Sequence, residues 1–217
     1  RGEQGRGVAV DLRELEEVRA AIEVARGVGG DALIEQYVAG QDLRIIVIDH
    51  EVVAAAVRRP AAVRGDGQHT VRALIERQSR RRAAATCGES QIPIDAETER
   101  CVQLAGYRMT DIPDAGALVD VRKTANLHCG GTIHDVTARL HPALARASIE
   151  AARALDIPVV GLDLIVRDPA EPDYAFIEAN ERPGLANHEP APTAERFVDL
   201  LFPQTRADAV RGPGGQQ

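Results

Sequence analysis

The sequence predicts an α+β fold built on an antiparallel sheet, and three observations point to it. Leu43–Ile48 and Val52–Arg58 are apolar, β-branched runs separated only by Asp49-His50-Glu51, a connection too short for anything but an antiparallel neighbour. A second pair of strand-like runs, Pro158–Arg167 and Asp173–Asn180, flanks the turn-forming Asp168-Pro-Ala-Glu-Pro-Asp173. Between the two hairpins, Leu144, Ser148, Ala151 and Leu155 recur at helical spacing and predict a helix over Pro142–Leu155.

The other elements follow in order. Val8–Val10 reads as the end of a strand. Asp11 is the expected cap of a helix reaching about Arg26, with Glu14 at the capping-box position and Gly27–Gly30 as its stop. Ala32–Val38 is strand-like. The stretch from Pro60 to Gly116 holds helices near Thr70–Arg81 and Ala96–Ala105 between Gly- and Pro-marked turns, and is expected to be an insertion. Leu118–Arg122 is expected to return to the core as a strand. A last helix near Thr193–Leu201 precedes residues 204–217, expected to be a disordered tail.

Composition narrows the function. The 217 residues are 44% apolar but only 3% aromatic, without Trp, which speaks against a stacking platform for single-stranded nucleic acid. A net charge of −7 speaks against duplex binding. Cys87, Cys101 and Cys129 form no CxxC pair, so neither a zinc site nor a disulfide framework is expected, and the expected setting is the reducing cytoplasm. No apolar run approaches the roughly 18 residues of a membrane span. The chain opens on Arg-Gly-Glu-Gln-Gly, without an initiator Met or an apolar leader, and reads as a fragment of something longer.

The most informative residues lie in the second hairpin. Counting outward from Asp168 and Asp173 places Asp163 opposite Glu178, and Asn180 follows two residues later on the same face. Two carboxylates and an amide form an oxygen-only set suited to Mg²⁺ on nucleotide phosphates. Gly161-Leu-Asp163 with Ile177-Glu-Ala-Asn180-Glu-Arg-Pro-Gly184 resembles the metal-binding signature of the ATP-grasp superfamily. The resemblance implies two α+β lobes with an antiparallel catalytic sheet, here truncated at the N-terminus. It also implies ATP and Mg²⁺ as cofactors, with Asp163, Glu178 and Asn180 as metal ligands.

Further residues extend the likeness. Arg1-Gly-Glu-Gln-Gly5-Arg6-Gly7-Val8 resembles the family's loop over the phosphates, although a glycine-rich turn is also an ordinary loop. Glu35, Gln36, Tyr37 and Val38 resemble the adenine hinge, with Asp42 as ribose acceptor. Taken alone, Asp42 and Arg44 read as an exposed turn ion pair worth at most about 1 kcal/mol. Cations suit an anionic acyl-transfer step, so Arg58, Arg122 and Lys123, the sole Lys beside 25 Arg, are candidates. Asn126 with Gly130-Gly131 resembles the loop cradling the transferred phosphate in glutathione- and cyanophycin-synthetase-like ligases. Val63–Thr70 and Thr132–Thr137 share the cyanophycin likeness.

Gln78–Thr86, Gly88–Pro93 and Asn180–Pro190 resemble the N-acetylglutaminylglutamine synthetase family more closely, and the likeness covers about residues 1–203. It implies an ADP-forming ligase joining N-acetylglutamine or glutamine to glutamine for an osmoprotectant dipeptide. Amino-acid or dipeptide substrates, an upstream acetyltransferase-like region and a second copy of the chain are the expected partners. Arg80–Arg82 read either as a solvated helix end or as a carboxylate contact, and His134 and His188 carry no assigned role.

Overall fold

The computed structural model describes residues 7–185 and 191–205. Its compact units comprise Arg1–Tyr37 with Arg58–Thr132, and Val38–Val57 with Ile133–Gln217.

The second unit is built on β1 (Gln41–Ile48), β2 (Glu51–Arg59), β5 (Thr132–Asp135), β6 (Val159–Val166) and β7 (Tyr174–Asn180), in the order β5-β2-β1-β6-β7. Asp49 and His50 both take positive φ, the arrangement of a two-residue hairpin turn whose twist matches its strands. Gly40 lets the chain enter β1 closely, since a Cβ there would lie 2.6 Å from the Val166 carbonyl oxygen.

Strand alternation then divides the side chains. Leu43, Ile45 and Val47 of β1 join Val160, Leu162, Leu164 and Val166 of β6 in a core with α4 (Pro142–Leu155), through Leu144 and Ala152. Pro142 starts α4, the His141 imidazole accepts from the Ala143 N–H at 3.1 Å, and Asp156 closes it in the left-handed region. On the other side, Ile46 and Ile48 pack with Phe197 and Leu200 of α5 (Thr193–Leu201). Being covered on both sides makes β1 an almost unbroken apolar run.

The first unit contains α1 (Leu15–Gly29), the antiparallel pair β3 (Ala62–Arg64) and β4 (Leu118–Asp120), α2 (Val71–Ala85) and α3 (Ala96–Leu104). Thr70 caps α2 and Asp95 caps α3. Val63, Val71, Ile75, Val102, Val119 and Val121 form its core.

Several expectations are corrected. α1 starts three residues later than expected, with Glu14 as N-cap and the Glu17 carboxylate accepting from the Arg13 and Glu14 N–H groups at 2.9 and 3.2 Å. Asp11 lies outside the helix at φ 57°. Val8–Val10 and Ala32–Val38 form no strand. Leu33, Ile34 and Tyr37 have the composition of a strand but stay exposed, and no ladder partner lies beside them among the described residues. β4 pairs with β3 rather than returning to the large sheet. Residues 206–217, most of the expected tail, lie outside the described residues, and Pro203–Thr205 form a 3₁₀ turn.

Leu162→Ala is expected to cost about 3 kcal/mol in urea denaturation, because its fully buried side chain shares one core with residues of β1 and α4. Burial pushes the Cys101 thiol up to about 11, whereas Cys87 is exposed. A thiol reagent at pH 8 should therefore label Cys87 and spare Cys101 in the folded protein, with protection lost as pH approaches 11.

Candidate active site

Asp163 and Glu178 face each other across the β6–β7 ladder, and Asn180 stands opposite Gly161. The counting that predicts this pairing needs an adjustment. Next to the turn, Val166 pairs with Tyr174 and Leu164 with Phe176. One extra β7 residue, Ile177, then intervenes before Asp163 meets Glu178. This β-bulge brings Glu178 to the Asp163 side and leaves Phe176 opposite the core residue Leu164.

The three side chains contact one another. The Asn180 amide donates to Glu178 Oε1 at 3.0 Å and to Asp163 Oδ2 at 3.5 Å. β1 supplies a fourth member that sequence reading left in a turn. Arg44 stands opposite Asp163 in the β1–β6 register, and its guanidinium forks onto the carboxylate, Nε on Oδ1 and Nη2 on Oδ2, the latter at 2.9 Å. The two side chains are only 14% and 7% exposed. Arg44 is thus committed to a residue 119 positions away, not to an exposed turn pair with Asp42. Gly161 makes the room, since a Cβ there would lie 3.1 Å from Arg44 Nη1 and 2.9 Å from Pro183 Cβ.

Asp42, two residues before Arg44, projects to the same face and is itself engaged in a polar interaction. The face is therefore apolar at the Ile46 and Ile48 end and charged at the Asp42 and Arg44 end.

Two carboxylates, with the Asn180 amide that now donates to both of them and carries an oxygen of its own, suit a hard divalent cation. Among the described residues no three His, Cys, Asp or Glu side chains form a complete cage. The set would supply part of a Mg²⁺ shell, the usual arrangement where phosphate oxygens and water provide the rest.

The other predicted residues are placed as follows. Gly5 and Arg6 lie outside the described residues, as does His188. Glu35, Gln36, Tyr37 and Val38 form an exposed, non-strand segment. Arg58, near the end of β2, is half-buried and engaged. Gly7 and Arg122 both line a cavity of about 890 Å³ within the first unit. Arg122 is 4% exposed, and its Nη1 donates to Asp95 at 2.6 Å and Thr98 at 3.0 Å, at the start of α3. Lys123 is half-buried. The Arg13 hydrogen bond holds the Asp11 carboxyl below its ordinary value, with a smaller contribution from the Lys123 charge.

The Asn126 loop is closed on itself. Asn126 Oδ1 accepts from the His128 N–H at 2.8 Å, and the Gly130 and Gly131 N–H groups donate to Leu127 and Asn126 carbonyls at 3.1 and 2.9 Å. Both glycine amides are thus spent inside the loop. Arg82, read from sequence as a helix end or substrate contact, donates to the carbonyls of Gly130 and Gly131, and burial lowers its pKa from the ordinary value. Nothing local in the sequence signals either long-range arginine contact.

The fold matches a solved bifunctional glutathione synthetase from Pasteurella multocida, with a TM-score of 0.62 at 24% identity, over 93% of this chain and 30% of that one. The chain also has sequence relatives, which like that protein are ligases of the ATP-grasp type. Those relatives include a cyanophycin synthetase of Nostoc sp., 33% identical over 222 residues, covering 96% of this chain and 25% of that protein. They also include a glutathione biosynthesis bifunctional protein of Clostridium perfringens, 26% identical over 91% of this chain and 27% of that protein. The chain spans about a quarter of the length of these relatives, and no family model matches it.

Arg82→Gln is expected to cost about 1–2 kcal/mol, the scale of partly exposed charge-assisted hydrogen bonds. It should speed amide hydrogen exchange at Gly130 and Gly131 while leaving α4 protection unchanged, as read by mass spectrometry.

Proposed function

We propose that the chain is the site-bearing region of an ADP-forming carboxylate–amine ligase that uses ATP and Mg²⁺. The observation that supports this most is the shared face of Asp163, Glu178 and Asn180, built on β6 and the edge strand β7. These three side chains would hold Mg²⁺, which would neutralise charge on the nucleotide phosphates. Asp42, on the same face, serves as the ribose acceptor. The backbone of Glu35–Val38 reads the adenine edge, and Gly5–Gly7 with Arg6 closes over the phosphates. Arg58, Arg122 and Lys123 supply positive charge for the acyl-transfer step, and Asn126 with Gly130 and Gly131 shapes the loop beside it.

The reaction takes two displacements. A carboxylate oxygen of the acid substrate attacks the γ-phosphorus, the bond to the β,γ-bridging oxygen breaks, and ADP leaves. The amine nitrogen then attacks the acyl carbon, the bond to the phosphate oxygen breaks, inorganic phosphate departs and the amine proton passes to water. Positioning and fixed charge do most of this work.

For the substrates we take N-acetylglutamine or glutamine as acid and glutamine as amine, on the strength of the Gln78–Thr86 and Asn180–Pro190 motifs, in a cytoplasmic enzyme carrying an upstream acetyltransferase-like region. Identity to cyanophycin synthetases and to glutathione-forming proteins favours a second reading, a peptide ligase of one of those types.

The test is Mg²⁺-dependent ADP release by the full-length protein, with products identified by mass. ADP with the glutaminyl dipeptide is the expected result. Asn180→Ala and Asp163→Asn should each lower turnover by on the order of 100-fold, and EDTA should abolish it. ADP release only with a different acid or amine would replace the substrate assignment. No nucleotide turnover on this pair or a broad amino-acid panel would overturn the ligase reading in favour of a non-catalytic module.

A further inference from the structure

The Asp163 carboxylate must be balanced whether or not a cation is present. It is 5% exposed, faces Glu178 directly across the ladder, and is sheltered from water that would otherwise solvate it. A desolvated carboxylate left without a counter-charge is strongly destabilising. In this structure Arg44 supplies that charge, with Nε and Nη2 spread over both carboxylate oxygens. A guanidinium in this bidentate pose takes up the lone pairs a metal ion would use on the same group. The pocket for the guanidinium is built into the strand, because the missing Cβ of Gly161 leaves the space beside Arg44 Nη1 and Cδ.

We infer that Arg44 is the resident counter-ion of this acidic face, occupying Asp163 while no cation is bound and giving up the carboxylate when a divalent cation binds. The inference rests on the metal role proposed for Asp163, Glu178 and Asn180. It makes Arg44 a positioning residue with two measurable effects. It stabilises the cation-free protein, and it sets cation affinity below what the three oxygen donors alone would give. Freed from Asp163, the guanidinium becomes available to an anionic group brought in with the cation, so one side chain serves both states.

The experiment measures Mn²⁺ binding to the full-length protein without nucleotide, by titration calorimetry and by the electron paramagnetic resonance of free Mn²⁺. It is paired with melting temperatures in EDTA and in saturating Mn²⁺. Arg44→Met removes the fork. Arg44→Lys keeps the charge but not the bidentate geometry, and Gly161→Ala crowds the guanidinium without removing it. Arg44→Met is expected to bind Mn²⁺ at least about tenfold tighter than wild type, to melt lower in EDTA, and to recover most of that loss in Mn²⁺. Arg44→Lys and Gly161→Ala should shift affinity in the same direction by less, and they carry the test if Arg44→Met does not fold. Wild-type binding that is unchanged or weakened in all three variants would overturn the counter-ion role and leave the metal site standing. Binding by no variant and not by wild type would instead overturn the metal assignment, and this inference with it.

Discussion

The antiparallel pairing of β1 with β6 constrains both the core and the charged face. Eight consecutive residues of β1 are matched from Gln41 opposite Val166 to Ile48 opposite Val159. Because side chains alternate in phase across such a ladder, Leu43, Ile45 and Val47 can reach α4 only together with Leu164, Leu162 and Val160. Whatever occupies the intervening positions must then meet on the opposite side, and at one pair those residues are Arg44 and Asp163. Slipping β1 by one residue would drive Arg44 under α4, expose Leu43, Ile45 and Val47, and leave Asp163 without its partner. Burial of aliphatic surface, which cares nothing for charge, thus specifies the ion pair.

The same alternation explains why the charged residues are confined to one end of the face. α5 seals Ile46 and Ile48 with Phe197 and Leu200, and neither Arg44 nor Asp42 belongs to that cluster. Leu185 and Ala191 join that cluster, while Pro183 approaches Gly161. Leu185 thus packs on the sealed half and Pro183 beside the charged one. A polar site beside a dry core keeps its geometry because the neighbouring side chains are locked by packing.

Legibility from sequence followed the range of the interactions. α4 and α5 were readable to the residue because Pro142 is a local start signal and both helices carry apolar residues at helical spacing up to Leu155 and Leu201. The pairing of Asp163 with Glu178 was readable because a hairpin is also local, though the count succeeded with the help of a bulge it did not contain. Ala32–Val38 has strand composition, and composition cannot say whether a neighbour is there to complete the ladder. β3 and β4 are three residues long, too short to show a period, and find each other across more than fifty positions. Arg44 and Arg82 were missed for the same reason. A guanidinium on a long, flexible stem can reach a partner far along the chain, and no spacing rule records that.

The bulge at Ile177 bears on how this part of the chain can change length. The turn and the acidic face lie on opposite sides of it, so the face takes its alignment from β6 and not from the turn. A strand carrying a spare residue can lose it, or exchange it for a longer connection, while Glu178 and Asn180 keep their neighbours. Insertions and deletions among homologues should therefore gather between Arg167 and Ile177, and the interval from Glu178 to Asn180 should stay constant in length.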